Sequence, residues 1–264
     1  MAAVLEQAAT LLFLRLAQLA LGCLLAWGAS ALARRGVRWP GRQRLLLPAM
    51  AVSAALGMAL PLGGFGMVPV VAALMLLGFT LPQALPALVS SLLFNLIEPL
   101  TQPVFLWNGN MVRMAAAFAA GILAGALAGR FFPDDCLLRP SVQGRLFPPQ
   151  RQRWGWPALF RDQIEVFGLV LALAAVLAAV LDGGLFYWLQ TRFFASDFGT
   201  AATGGIARFN VFNPVFVAGG QMLMRFTDPL MVLCVAATLR WRPALALGAY
   251  VLLVSLLLFV GLLL

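Results

Sequence analysis

The chain has 264 residues, of which 62% are hydrophobic and 10% charged, and arginine alone carries its basic charge, for a formal +9. An ordinary soluble domain is roughly half apolar and about one quarter charged, so a soluble fold of this size could not hide so much apolar surface, and the chain is expected to lie in a bilayer. The basic balance does not point to nucleic acid, because arginines clustered between apolar runs set membrane topology and meet anionic lipid.

The first apolar run, Ala8–Ala33, is long enough to cross the roughly 30 Å hydrocarbon core. It lacks a basic leader and is too long for the apolar part of a cleavable signal, so a membrane span is expected there. Five arginines follow within residues 34–44, which places this loop in the cytoplasm and the N-terminus outside. Leu45–Leu60 and Met67–Phe79 come next, separated by Pro61-Leu62-Gly63-Gly64-Phe65-Gly66. Neither run spans comfortably alone, and the Gly and Pro interruptions predict broken or re-entrant helices. Ala84–Leu106 carries Asn95, Glu98, Pro99, Gln102 and Pro103, and Met114–Phe132 is a clean span with Arg113 at its start.

Residues 130–163 hold six arginines and several prolines and read as a cytoplasmic linker. It divides the chain into a first transmembrane repeat, 1–129, and a second, 164–264. The second half continues with Asp162–Leu189, interrupted at Asp182 and followed by a polar, Gly-rich stretch at 191–210. Val211–Leu239 carries Asn213, Gln221, Arg225 and Asp228, and ends at Arg240 and Arg242, which mark another inside end. Pro243–Leu264 is the last span, which places the C-terminus outside. The expected fold is an all-α polytopic membrane protein with about eight transmembrane or half-spanning helices. The arginine-for-lysine bias and the Ala, Leu, Gly and Pro richness point to the inner membrane of a bacterium.

An internal repeat gives the two halves a relationship. Leu93-Phe94-Asn95-Leu96-Ile97-Glu98-Pro99-Leu100 resembles Leu223-Met224-Arg225-Phe226-Thr227-Asp228-Pro229-Leu230, 130 positions later. The arginine loops make the two copies run in opposite directions, as in inverted-topology repeats whose broken helices meet at a substrate site.

Ionisable groups inside spans are costly and default to functional candidates. Glu98 and Asp228 are the sharpest, because a proline after each disfavours helix at the acid and frees a backbone carbonyl. Each acid could bind a cation or carry a proton. Alternatively, Asp228 pairs with Arg225 and Glu98 with Arg113. Asn95, Gln102, Asn213 and Gln221 either line a polar path or act as interhelical hydrogen-bond glue. No histidine is present to act as a base, and no nucleophile elbow or phosphate loop is found. Glu98 and Asp228 formally supply the two acids of intramembrane proteolysis, but their flanks do not resemble that chemistry. Three scattered cysteines, Cys23, Cys136 and Cys234, offer neither a disulfide framework nor a metal cage. The expectation is a protein that is not an enzyme and uses no cofactor or metal.

Gly66-Met67-Val68-Pro69, the apolar run to Gly78, Pro82-Gln83-Ala84-Leu85 and the span from Arg113 to Arg130 together resemble the predicted-permease family that includes organoarsenical efflux permeases. That family carries the block twice, and the resemblance implies a second copy over Val211–Tyr250. Family members usually carry cysteine in the turn equivalent to Pro61–Gly66, where this chain has glycine, so the fold is expected to carry over without a thiol for a soft substrate.

Two functional expectations follow. The first is a permease with its solute or ion path at Gly64, Gly66, Pro69, Asn95, Glu98, Gln102, Gln221, Arg225 and Asp228. The second is a non-catalytic integral subunit or assembly factor of a larger membrane complex, whose intramembrane polar residues contact other subunits. Partners are then the bilayer, with either a small solute or cation or other membrane proteins.

Overall fold

The computed structural model of the protein describes residues 2–37, 46–96, 107–132, 137–142, 155–181, 222 and 229–260. Among these, eight helices of ten or more residues follow one another: α1 Ala2–Arg34, α2 Leu46–Ala59, α3 Gly63–Leu76, α4 Leu81–Leu93, α5 Trp107–Phe131, α6 Trp156–Val180, α7 Pro229–Thr238 and α8 Trp241–Val260. The described residues contain no strand, and one isolated antiparallel bridge joins Leu138 to Leu239.

Three stretches, Val4–Arg34, Asn110–Phe131 and Trp156–Val180, are long and apolar enough to cross a membrane. Their outward faces are apolar too. On α6 the residues Leu169, Leu173, Val176 and Val180 form an exposed stripe at helical spacing, and Leu169 is 84% exposed. Water would penalise such a stripe, whereas lipid tails accept it, so the apolar helices mark a membrane-embedded protein.

Helices α2, α3 and α4 have 14, 14 and 13 residues. At 1.5 Å per residue each is about 20 Å long, roughly two thirds of the hydrocarbon thickness. They are nevertheless the most enclosed part of the fold. Every residue of α4 is buried, and so is α3 from Phe65 to Leu74. Helix α3 lies along α1 and α4, while α2 and α5 cover α4, and α6 and α7 complete the wall.

Small residues set these contacts. A Cβ on Gly22 of α1 would collide with Gly66 O of α3, and one on Gly57 of α2 would collide with Ala87 O of α4. On α5, Gly121 faces Ser90, and Gly125 faces Pro82 O and Pro86. The same registers fix directions. Gly63 meets Arg15 and Gln18 while Gly66 packs between Gln18 and Gly22, so α3 runs parallel to α1. Leu93 pairs with Arg113, Ser90 with Ala117 and Pro82 with Gly129, so α5 runs antiparallel to α4. Arg34, Arg130 and the α3–α4 turn therefore share one end of the bundle.

The apolar runs become helices close to where they were expected, but the boundaries move. Helix α3 starts at Gly63, so Gly64 and Gly66 belong to its first turn and not to a preceding loop. Arg113 lies inside α5, six residues after its start at Trp107. Helix α6 starts at Trp156, within the stretch expected as linker. The membrane tolerates a polar residue in a helix wherever the protein supplies its partner, and hydropathy alone does not report that.

Gly57→Leu is expected to lower the thermal unfolding temperature in detergent, with a cost of at least about 1–3 kcal/mol from overpacking against backbone. Gly28→Ala, where an added Cβ meets nothing within 4 Å, serves as the control and should leave it unchanged or slightly higher.

Candidate functional site: the buried ends of two short helices

The α3–α4 pair is a helical hairpin whose turn, Leu77–Thr80, is capped within itself. The Thr80 N–H donates to Gln83 Oε1 at 2.9 Å as one arm of a capping box, and Gln83 is fully buried. The open ends of the hairpin, the N-terminus of α3 and the C-terminus of α4, lie side by side at its other extremity. From Gln18, at the level of these ends, α1 runs a further sixteen residues to Arg34, or about 24 Å at the helical rise.

The α3 end is built from glycine. Gly63 has φ +61°, a left-handed conformation, and a Cβ there would lie 3.1 Å from Arg15 Nη1 and 3.3 Å from Gln18 Oε1. Both the backbone and the space therefore require glycine. Arg15 Nη1 donates to Gln18 Oε1 at 2.7 Å, and Gln18 Nε2 donates to Pro61 O at 3.0 Å. This relay satisfies a carbonyl in the α2–α3 connection. Leu62, at the N-cap, supplies no side-chain acceptor to the first amides of α3. Gly64 is hemmed by Leu92 of α4 and Cys234 of α7, with Cys234 Sγ 2.8 Å from where a Cβ would stand. Phe65 meets Phe167 of α6 edge to face, with centroids 5.6 Å apart. Four other helices thus converge on Gly63–Gly66 of α3.

The α4 end is held by charge. The chain becomes extended at Phe94, and the Leu96 N–H donates to Met58 O at 3.1 Å. Arg113, 2% exposed, donates from Nε to Leu93 O at 2.9 Å, and its guanidinium carbon lies 5.7 Å from the Phe94 ring centroid. Asn110, one turn earlier on α5, is equally buried. Buried Arg113, half-buried Arg15 and the positive end of α3 meet the negative end of α4 at this junction. Such a junction can receive an anionic or carbonyl-bearing group, or balance a carboxylate from the chain's own segments.

Of the residues expected to form the path, Gly64 and Gly66 lie in the first turn of α3, and half-buried Asn95 follows the end of α4. Pro69 is buried inside α3, about 9 Å along the helix from Gly63, and stands apart from it. Glu98, Gln102, Gln221, Arg225 and Asp228 lie outside the described residues, as do Asp182, Asn213 and Cys136. Helix α7 starts at Pro229, directly after Asp228, which fits the preference of proline for the first helical position.

No protein-family model matches the chain, and neither a curated protein nor a solved structure is similar to it.

Sequence reading missed Arg15 and Gln18. Their signal was present, as two polar residues three apart inside an otherwise apolar span. Arg113 was visible but read as a helix start, when its task is to cap a neighbouring helix.

Replacing Arg113 by Met would strip the buried Leu93 carbonyl of a charged donor, a loss of about 1.5–3 kcal/mol. Thermal unfolding in detergent should show it, with Arg113→Lys recovering part of the loss because it keeps the charge without the planar fork.

Proposed function

We propose that the chain is a permease-like protein of the bacterial inner membrane that moves a small solute or ion between two inverted repeats. The observation that carries this reading is the α3–α4 hairpin, two short helices enclosed by longer ones with their open ends meeting inside the apolar core. Non-helical backbone at membrane depth is tolerated where protein or a cavity covers it, and secondary transporters place their sites at such helix ends. In this reading α2–α3 forms a re-entrant pair entering from the arginine-rich, cytoplasmic side. The path then runs past Gly64, Gly66 and Asn95 toward Glu98 and Gln102, with Gln221, Arg225 and Asp228 contributed by the second half.

One contact supports the inverted repeat. Tyr250 Oη of α8 donates to Ala120 O of α5 at 3.1 Å across 130 positions, the same offset as the acid-Pro-Leu repeat. Helix α8 also runs antiparallel to α5, because Leu239 and Pro243 lie with Phe131 and Phe132, and Tyr250 lies with Ala124. Equivalent helices of an inverted repeat should be antiparallel and should cross at residues one repeat apart.

A second reading, an integral subunit of a larger complex, is favoured by one specific feature. Leu92, Cys234, Phe65 and Phe167 pack the α3 end as tightly as a structural core.

Membrane-impermeant thiol reagents separate the two. In a background with the native cysteines replaced by alanine, Asn95→Cys should react in intact vesicles of at least one orientation, while Leu88→Cys should not. An Asn95→Cys as inert as Leu88→Cys, in a protein that leaves the native membrane bound stoichiometrically to other subunits, would sink the transport reading.

A further inference from the structure

The segment at residues 137–142 docks beside the α7–α8 turn through a reciprocal clasp. The Arg139 N–H donates to Thr238 O and the Arg240 N–H to Leu137 O, both at 3.0 Å. The two side chains repeat the exchange, with Arg139 Nε on Leu239 O and Arg240 Nε on Leu138 O, both at 3.1 Å. Each guanidinium is thereby fixed by its Nε edge. Among the described residues no partner engages the Nη atoms of Arg139, which is exposed. Arg242 stacks its guanidinium 5.1 Å from the Trp241 ring centroid, so three arginines and an interfacial-type tryptophan gather at one point.

From this point a groove of about 390 Å³ descends between α7 and α8. Arg139 and Trp241 stand at its mouth, and Val232, Val235, Leu245 and Gly248 line its length. Among the described lining residues Arg139 is the one charged side chain. From Trp241 to Val251 the groove follows ten residues of α8, about 15 Å. Val232 and Leu245 are exposed on its rim, so it opens sideways toward lipid and not toward the bundle interior. At Gly248 an added Cβ would meet nothing within 4 Å, so the floor is open.

We infer that this groove holds one acyl chain of an anionic phospholipid, with the headgroup phosphate on the arginine clasp of Arg139, Arg240 and Arg242. Charge complementarity selects the occupant. A guanidinium presents donors in a fork that matches phosphate oxygens, and arginines beside a span attract anionic headgroups. The apolar groove below offers nothing to a soluble anion, but it accommodates a hydrocarbon tail. The inference does not depend on transport.

Native mass spectrometry of the full chain, purified in mild detergent and supplied with phosphatidylglycerol or phosphatidylcholine, tests it. Phosphatidylglycerol should be retained at one equivalent and phosphatidylcholine with about tenfold weaker affinity, a difference of about 1.4 kcal/mol. Arg139→Gln combined with Arg242→Gln should bring phosphatidylglycerol down to the phosphatidylcholine level. Gly248→Leu, whose Cβ has open space and whose longer side chain intrudes into the groove, should cut retention of both, and a normal elution profile will show that it folds. Equal retention of the two lipids by the unaltered chain overturns the inference without any variant. So would full retention by Gly248→Leu, displacement of the lipid by inorganic phosphate, or a dimer that covers the groove.

Discussion

Inside a bilayer, a helix that stops must still satisfy its last carbonyls, and there is no water to do it. The rest of this structure depends on that constraint. Helices α3 and α4 are too short to carry their ends to the interface, so the protein brings donors inward. Arg113 reaches across from α5 to Leu93 O, and Gln18, oriented by Arg15, reaches from α1 to Pro61 O. Side chains that would be expensive as isolated charges become affordable because each caps a backbone group that would otherwise be an orphan. The short hairpin and its cationic surroundings are therefore one feature.

Proline and glycine work together in the same economy. Pro86 inside α4 has no N–H, so it leaves Pro82 O without its intrahelical donor. At that carbonyl α5 presents Gly125, whose missing Cβ would have stood 2.6 Å from the oxygen. The helices approach closely enough to shield the freed carbonyl with backbone. One turn along, Ser90 Oγ donates to Ala117 O, and Gly121 leaves room for the Ser90 side chain. Lipid supplies no hydrophobic drive between helices, so contacts of this kind, small residue against backbone and hydroxyl against carbonyl, hold them together.

How much of this was legible follows from what hydropathy measures. It reports which stretches lipid tolerates, and so it located most of α1, α5, α6 and α8. It cannot report which polar group has a partner. Gly63 was therefore placed in a turn, Arg113 at a helix start and Trp156 in a linker, although Gly63 and Trp156 begin helices and Arg113 lies inside one. The junction was half readable. Gly64 and Gly66 stood out because their residue type disturbs an apolar run, and both lie in the first turn of α3. Arg15 and Gln18 left a local trace, two polar residues three apart in an apolar span, but it is tertiary packing that brings them and Cys234 to the start of α3. The Thr80 and Gln83 pair, by contrast, is a local pattern that directly specifies its own cap.

The arginines show how one residue type serves opposite ends of the bundle. At the deep end, Arg113 is almost wholly buried and spends its charge on a backbone carbonyl and an aromatic face. At the other end, Arg139 and Arg240 also give their Nε to carbonyls, yet Arg139 remains exposed. The difference lies in what surrounds the rest of the guanidinium. Packed protein at the deep end makes Arg113 a structural cap that would also bias any visiting group toward negative charge. At the other end the guanidinium of Arg139 lies on an open surface, with its Nη donors facing away from the backbone it holds. Arginine suits both tasks where lysine would not, because its planar fork can bind backbone with one edge and present the other. A chain that uses arginine as its sole cation therefore holds backbone and meets anionic surroundings with the same side chain.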